Sequence, residues 1–191
     1  MKKYFEIRWH GRGGQGTVTG AKSLAEAIQG TGMCVSAFPD YGPERRGAPL
    51  RAFNRFADHK IRTHVPVLEP SVVMIVDPTL IGSVDVTAGV TDETVFVVNT
   101  EKNVAEIRES LGLTTQKLLT LHANEISLEL FGREIPNSAM MGGFAKACPD
   151  IISLEQLLEG AAEAFKHLLS ADIVEKNLEA IKRGYQEASE S

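Results

Sequence analysis

Residues 4–9, YFEIRW, alternate apolar and polar side chains as a strand does, and the run TVTGAKSLAEAIQG at 17–30 places Val18, Ala21, Leu24, Ala25 and Ile28 at helical spacing. Between them lies GRGGQG, in which Gly11, Gly13 and Gly16 satisfy G-x-G-x-x-G. That pattern is weak alone and gains meaning between a strand and a helix. Such a turn aims backbone N–H groups and the positive end of the helix dipole at one spot, and the missing Cβ atoms let a diphosphate approach. An anion site is therefore expected on Gly11, Arg12, Gly13, Gly14, Gln15, Gly16 and Thr17. Gln15 and Thr17 add neutral hydrogen bonds there, and Arg12 adds a charge-assisted one or is simply solvated. The alternative is an empty turn whose glycines serve positive φ and close packing. His10, at the strand's end, reads as a surface residue rather than an acid or base.

The opening unit continues into MCVSAF at 33–38, so the first 38 residues predict β-α-β with a right-handed crossover. FPDYGPERRGAP at 38–49 is a Pro- and Gly-framed loop. LRAFNRF and KIRTHV, separated by ADH, are expected to pair as a hairpin at a sheet edge. SVVMIV and TVFVVN are continuous apolar runs, as strands covered on both faces should be. After KLLTLH, helices are predicted at 123–131 and over PNSAMMGGFAKA with its Pro in the first turn. A further helix follows Ser153, and a last one starts at Asp172 with Ile173, Asn177, Ile181 and Tyr185 on one stripe. The sum is one α/β domain over 1–191: a Rossmann-like, mostly parallel sheet with helices on both faces and a hairpin at one edge.

A net charge of -5 argues against a broad nucleic-acid footprint, so a phosphate site must be local. The N-terminal residues resemble neither a signal peptide nor a membrane span, which places the chain in the cytoplasm. Cys34 and Cys148 are the only cysteines, too few for a four-Cys cluster or zinc site, and both read as reduced, buried thiols. Arg45, Arg46 and Arg51 gather positive charge near the same sheet end as the glycine turn, which suits a ligand with an extra phosphate; a solvated loop is the alternative. An NAD(P)-dependent dehydrogenase reading needs an acid at the end of the second strand. Asp40 is displaced from that place by Pro39. A structural subunit with an empty turn is the third reading.

Three segments, WHGRGGQGTVTGAK, SAFPDYGPERRGAPLRAFNR and IPNSAMMGGFAK, together resemble the gamma subunit or gamma domain of 2-oxoacid:acceptor oxidoreductases. The likeness is greatest to the pyruvate and branched-chain 2-oxoacid:ferredoxin enzymes, and it covers nearly the whole chain. The resemblance implies a subunit, inactive alone, of a multi-chain enzyme that oxidatively decarboxylates a 2-oxoacid, with pyruvate expected, to acyl-CoA and carbon dioxide. Electrons would pass through iron–sulfur clusters to ferredoxin. Thiamine diphosphate, magnesium and the clusters belong to partner subunits, and coenzyme A to the gamma domain. The absence of any Gly-Asp dipeptide, and hence of the Gly-Asp-Gly start of a thiamine diphosphate motif, agrees with this division. The family's phosphate loop falls on Gly11 through Thr17. A second loop falls on Tyr41 through Gly47, with Arg45, Arg46 and Gly47 as the positions expected to meet coenzyme A phosphates. Ala48 stands where many relatives have glycine. Pro136, Asn137 and Gly142 match the family without suggesting a chemical role.

Overall fold

The computed structural model describes residues 4–40 and 47–190. In chain order its elements are β1 (Phe5–Arg12), α1 (Thr17–Gln29), β2 (Cys34–Asp40), β3 (Pro49–Ala57), β4 (Val72–Ile75), β5 (Val95–Asn99) and α2 (Val104–Leu111). They continue with β6 (Leu118–Leu121), α3 (Ala123–Phe131), α4 (Asn137–Ala147), α5 (Leu154–Phe165), α6 (Ala171–Glu187) and β7 (Ser189–Glu190). The strands form one sheet in the order β2-β3-β1-β4-β5-β6-β7. β1, β4, β5 and β6 are parallel neighbours, and β2 shares their direction because β3 is antiparallel to both β1 and β2. Only β3 and the short β7 oppose them among the described residues.

The apolar runs of β4, β5 and β6 are explained by cover on both faces. Ile7, Trp9, Val72, Met74, Val97 and Leu119 point into a core shared with α1, α4, α5 and α6. The alternate residues Val73, Ile75, Phe96, Val98 and Leu118 meet Leu80 and Ile107 on the other side. This is the expected α/β architecture.

The opening β-α-β unit is present, and β3 inserts between its strands β1 and β2. A buried polar set fixes that insertion: Trp9 Nε1 donates to Asn54 Oδ1 at 2.7 Å, and Asn54 Nδ2 donates to the Ala21 carbonyl at 2.7 Å, so β1, β3 and α1 satisfy one another. The edge hairpin is β2–β3, and KIRTHV forms no strand. Its backbone serves another group: the buried Arg55 donates Nη1 to the Thr63 carbonyl at 3.2 Å and Nη2 to the Val65 carbonyl at 2.6 Å. Those carbonyls hold a guanidinium instead of a ladder. Pro136 precedes α4 as its N-cap residue rather than opening the helix. By contrast, Ser153 caps α5 in a reciprocal box with Gln156, as its position suggested. Two elements escaped the pattern reading. α2 announces itself by a capping box between Asn103 and Glu106, and β7 pairs with β6 at the far edge.

Cys34 is half-buried because β2 is an edge strand, and Cys148 is buried. Burial pushes the Cys148 thiol up to about 12, against a small pull from Lys117, so it stays protonated and inert.

Candidate functional site

The site lies where the chain leaves the carboxyl ends of β1 and β4. From β1 the chain turns toward β3 and β2; from β4 it runs the other way, so these neighbours flank the point where strand order reverses. Open α/β sheets hold ligands in such crevices.

Geometry explains Gly11, Gly14 and Gly16 of the turn and Gly20 of α1. A Cβ on Gly11 would lie 2.1 Å from Thr17 Oγ1, and one on Gly20 would lie 3.0 Å from Asn137 Cβ. Gly16 starts α1 in the left-handed region at φ 75°, where a side chain would also press on Asn137 at 3.1 Å. Gly14 adopts φ 104° and faces open space. The family-like Asn137 thereby gains a structural role: it fits against two glycines of α1's start and brings α4 up behind the turn.

The turn is tied to the β2–β3 connection. Gly13 N–H donates to the Ala48 carbonyl at 3.2 Å, and Gly47 N–H donates to the Gly13 carbonyl at 3.3 Å. Arg12 Nη1 donates to the Gly47 carbonyl at 3.2 Å. Thus Gly47 meets the glycine turn, whereas Arg45 and Arg46 lie outside the described residues. Arg51 does not reach the turn; it pairs with Asp40, Nη2 to Oδ2 at 2.6 Å.

Sequence reading missed Asp77 and Thr79. Arg12 Nε lies 3.0 Å from Asp77 Oδ2, and Gln15 Nε2 donates to the same oxygen at 2.8 Å. Asp77 Oδ1 accepts from Thr79 N–H at 2.9 Å and from Thr79 Oγ1 at 2.6 Å. Gln15 Oε1 in turn accepts from Arg12 N–H at 2.8 Å, so the side chain braces the turn from within. The discoverable signal was Asp-Pro-Thr directly after a central strand, an N-cap sequence at a strand's carboxyl end.

Burial alone would raise the Asp77 carboxyl. Hydrogen bonds from Thr79 and Gln15, with the attraction of Arg12, outweigh it and hold Asp77 below the ordinary carboxylate range. A depressed folded-state value means that its stabilisation is present above the unfolded value of about 3.9 and is lost as pH falls through the folded one. Asp77→Asn is therefore expected to cost about 1–2 kcal/mol at pH 7, a Tm drop of roughly 2–8 °C. The gap from wild type should narrow toward pH 3 in thermal unfolding scans; an acid-independent gap would contradict the role given to the carboxylate.

Several donors remain open. Among the described residues, no acceptor meets the backbone N–H of Gly14 or Gly16. Thr17 Oγ1, on a residue only 1% exposed, also has no hydrogen-bond partner among the described residues. Unsatisfied donors around a glycine turn and a guanidinium fit an anionic group such as a diphosphate. Beside Thr79, a cavity of about 550 Å³ extends along the ends of β4, β5 and β6, past Asn99, Lys102 and His122. His10, expected at the surface, is instead buried at 3% exposure on the sheet face away from α1.

Fold and site together define a Rossmann-like α/β domain with a glycine turn at its switch point. The model of the pyruvate ferredoxin/flavodoxin oxidoreductase family matches residues 6–187, and the chain belongs to that family. It is 44% identical over 181 residues to the pyruvate/ketoisovalerate oxidoreductases common subunit gamma of Pyrococcus furiosus, covering 95% of each chain. The crystal structure of pyruvate oxidoreductase subunit PORC from Thermotoga maritima superposes with a TM-score of 0.85 at 37% identity, covering 100% of this chain and 99% of that one. A 2-oxoglutarate:ferredoxin oxidoreductase from Magnetococcus marinus, solved with 2-oxoglutarate, coenzyme A and succinyl-CoA bound, shares the fold at a TM-score of 0.68 and 19% identity. That match spans 97% of this chain and 31% of the larger one. Among the described residues, no helix is long and apolar enough to cross a membrane.

Proposed function

We propose that this chain is the gamma-type subunit of a cytoplasmic, multi-chain 2-oxoacid:ferredoxin oxidoreductase, with pyruvate as substrate, and that it contributes the coenzyme A site. The observation that carries the reading is the glycine turn, where the N–H groups of Gly14 and Gly16 meet no acceptor among the described residues and lie beside Arg12 and the docked Gly47. In this reading Gly11 through Thr17 seat the diphosphate, and opening of the Arg12–Asp77 pair frees the guanidinium for phosphate oxygens. Arg45 and Arg46 meet further phosphate charge. The cavity beside Thr79 takes part of the ligand's remaining length.

Bound coenzyme A would supply the thiol that accepts the acyl group. Thiamine diphosphate with magnesium, and the iron–sulfur clusters that pass electrons to ferredoxin, are assigned to partner subunits. The purified single chain is accordingly expected to fold but to show no 2-oxoacid oxidation. Activity should appear on mixing with the other subunits, measured as pyruvate-dependent reduction of ferredoxin or a viologen. Turnover by the single chain would overturn the division of labour.

A further inference from the structure

The glycine turn carries its own cation, and that cation is already spoken for. Arg12 Nε lies 3.0 Å from Asp77 Oδ2, so guanidinium and carboxylate neutralise each other where an anion would settle. No other charged side chain bonds to either partner among the described residues. The nearby Arg51 is held by Asp40. Without Asp77, open N–H groups at a helix start and a free guanidinium would attract any small anion.

The two partners differ in freedom. The Asp77 side chain is 7% exposed and that of Arg12 30%. Asp77 also accepts from Gln15 Nε2, Thr79 N–H and Thr79 Oγ1, three donors that it keeps when Arg12 leaves. It therefore stays ionised and in place. Arg12 is otherwise tied only to neutral acceptors, Thr79 Oγ1 through Nε and Nη2 and the Gly47 carbonyl through Nη1. An arriving phosphate must draw the guanidinium off Asp77 or share it at short range with a fixed like charge. Both lower affinity.

We propose that Asp77 is a built-in competitor that sets the anion affinity of the glycine turn and keeps small phosphates from occupying it. The inference rests on the coenzyme A reading of the turn and adds control to that site. The cost is similar for every anion, so a ligand seated on the turn alone loses most of its binding. A ligand that continues into the cavity beside Thr79 offsets the loss with contacts there. The pair re-forms as the ligand leaves, which favours release of a bound product.

The test is a calorimetric titration of the full-length chain with inorganic pyrophosphate in magnesium-free buffer, comparing wild type with Asp77→Asn. Asparagine keeps an acceptor for Thr79 N–H and removes the charge. Wild type should bind with a Kd on the order of 1 mM or weaker, and the variant about 10- to 100-fold more tightly. The gain should shrink with added salt and vanish when Arg12→Ala is combined with Asp77→Asn. Adding Gln15→Glu to Asp77→Asn returns a carboxylate beside Arg12 and should bring the affinity back toward wild type, which a purely structural role for Asp77 would not do. Binding by folded Asp77→Asn that is no tighter than wild type, or a gain that survives Arg12→Ala, would overturn the proposal. The coenzyme A reading fails separately: a coenzyme A Kd unchanged by Gly14→Val in the assembled enzyme would remove that ligand while the pyrophosphate gain left Asp77 as the competitor.

Discussion

Gly142→Ala is expected to cost about 3 kcal/mol or more, enough to remove a large share of the 5–15 kcal/mol by which a domain is typically stable. The reason is the contact between α4 and α6. A Cβ on Gly142 would lie 2.0 Å from the Ile181 carbonyl oxygen, and one on Gly184 would lie 2.0 Å from the Ala139 carbonyl oxygen. The two helices therefore meet backbone to backbone from both sides, and neither obstacle is a side chain that can swing away. One added methyl must push whole helices apart, opening the core around Met140, Phe144 and Ile181. Gly184→Ala should behave alike, and the double variant should cost less than the sum, because one separation relieves both clashes. Gly30→Ala is the control. Its φ is -60° and its nearest obstacle is 3.5 Å away, so it should be neutral or stabilise by up to about 1 kcal/mol. Denaturant midpoints at constant m-value read out all four. A Gly142→Ala midpoint near wild type would show that the helices do not pack this closely.

That contact also shows what a sequence conceals. Helical spacing alone located α4 and α6, and the resemblance marked Gly142, but neither says that two helix backbones touch there, since close approach depends on crossing geometry. The central strands were legible because cover on both faces leaves a continuous apolar run. The edge of the sheet was not. β3 and KIRTHV both alternate, and the decision between them rests on the polar fit of Trp9, Asn54 and Ala21, whose members are far apart in the chain.

The candidate site divides in the same manner. The place of Gly11 through Thr17 was legible because it follows from local order: strand, turn, helix. Asp77 was not, because its meeting with Arg12 and Gln15 depends on β4 lying beside β1. His10 was misread for a related reason. Its face of the sheet is covered by residues 80–88, which no local pattern brings there.

The second large effect concerns the turn. Gly14 is the glycine of the turn with open space above it, so a Cβ there meets no atom within 4 Å, and a branched side chain is expected to stand in the approach to the N–H groups. Its φ of 104° adds backbone strain, which makes the turn's own path part of the expected loss. Arg12→Ala removes charge without changing that backbone and should act on the same ligand. Arg45→Ala and Arg46→Ala extend the comparison to the second loop. With 3′-dephospho-coenzyme A, a residue on the 3′-phosphate should lose its effect and one on the diphosphate should keep it. Added salt should weaken wild type more than each arginine variant.

The most direct measurement is the Kd of coenzyme A for the assembled enzyme carrying Gly14→Val or Arg12→Ala, with the KM for pyruvate recorded in parallel. Loss of charge-assisted contacts worth about 1.5–3 kcal/mol predicts a Kd raised roughly 10- to 100-fold. Subunit assembly and the KM for pyruvate should stay as in wild type. An unchanged coenzyme A Kd in both variants, with assembly intact, would contradict the assignment of the glycine turn as the diphosphate seat.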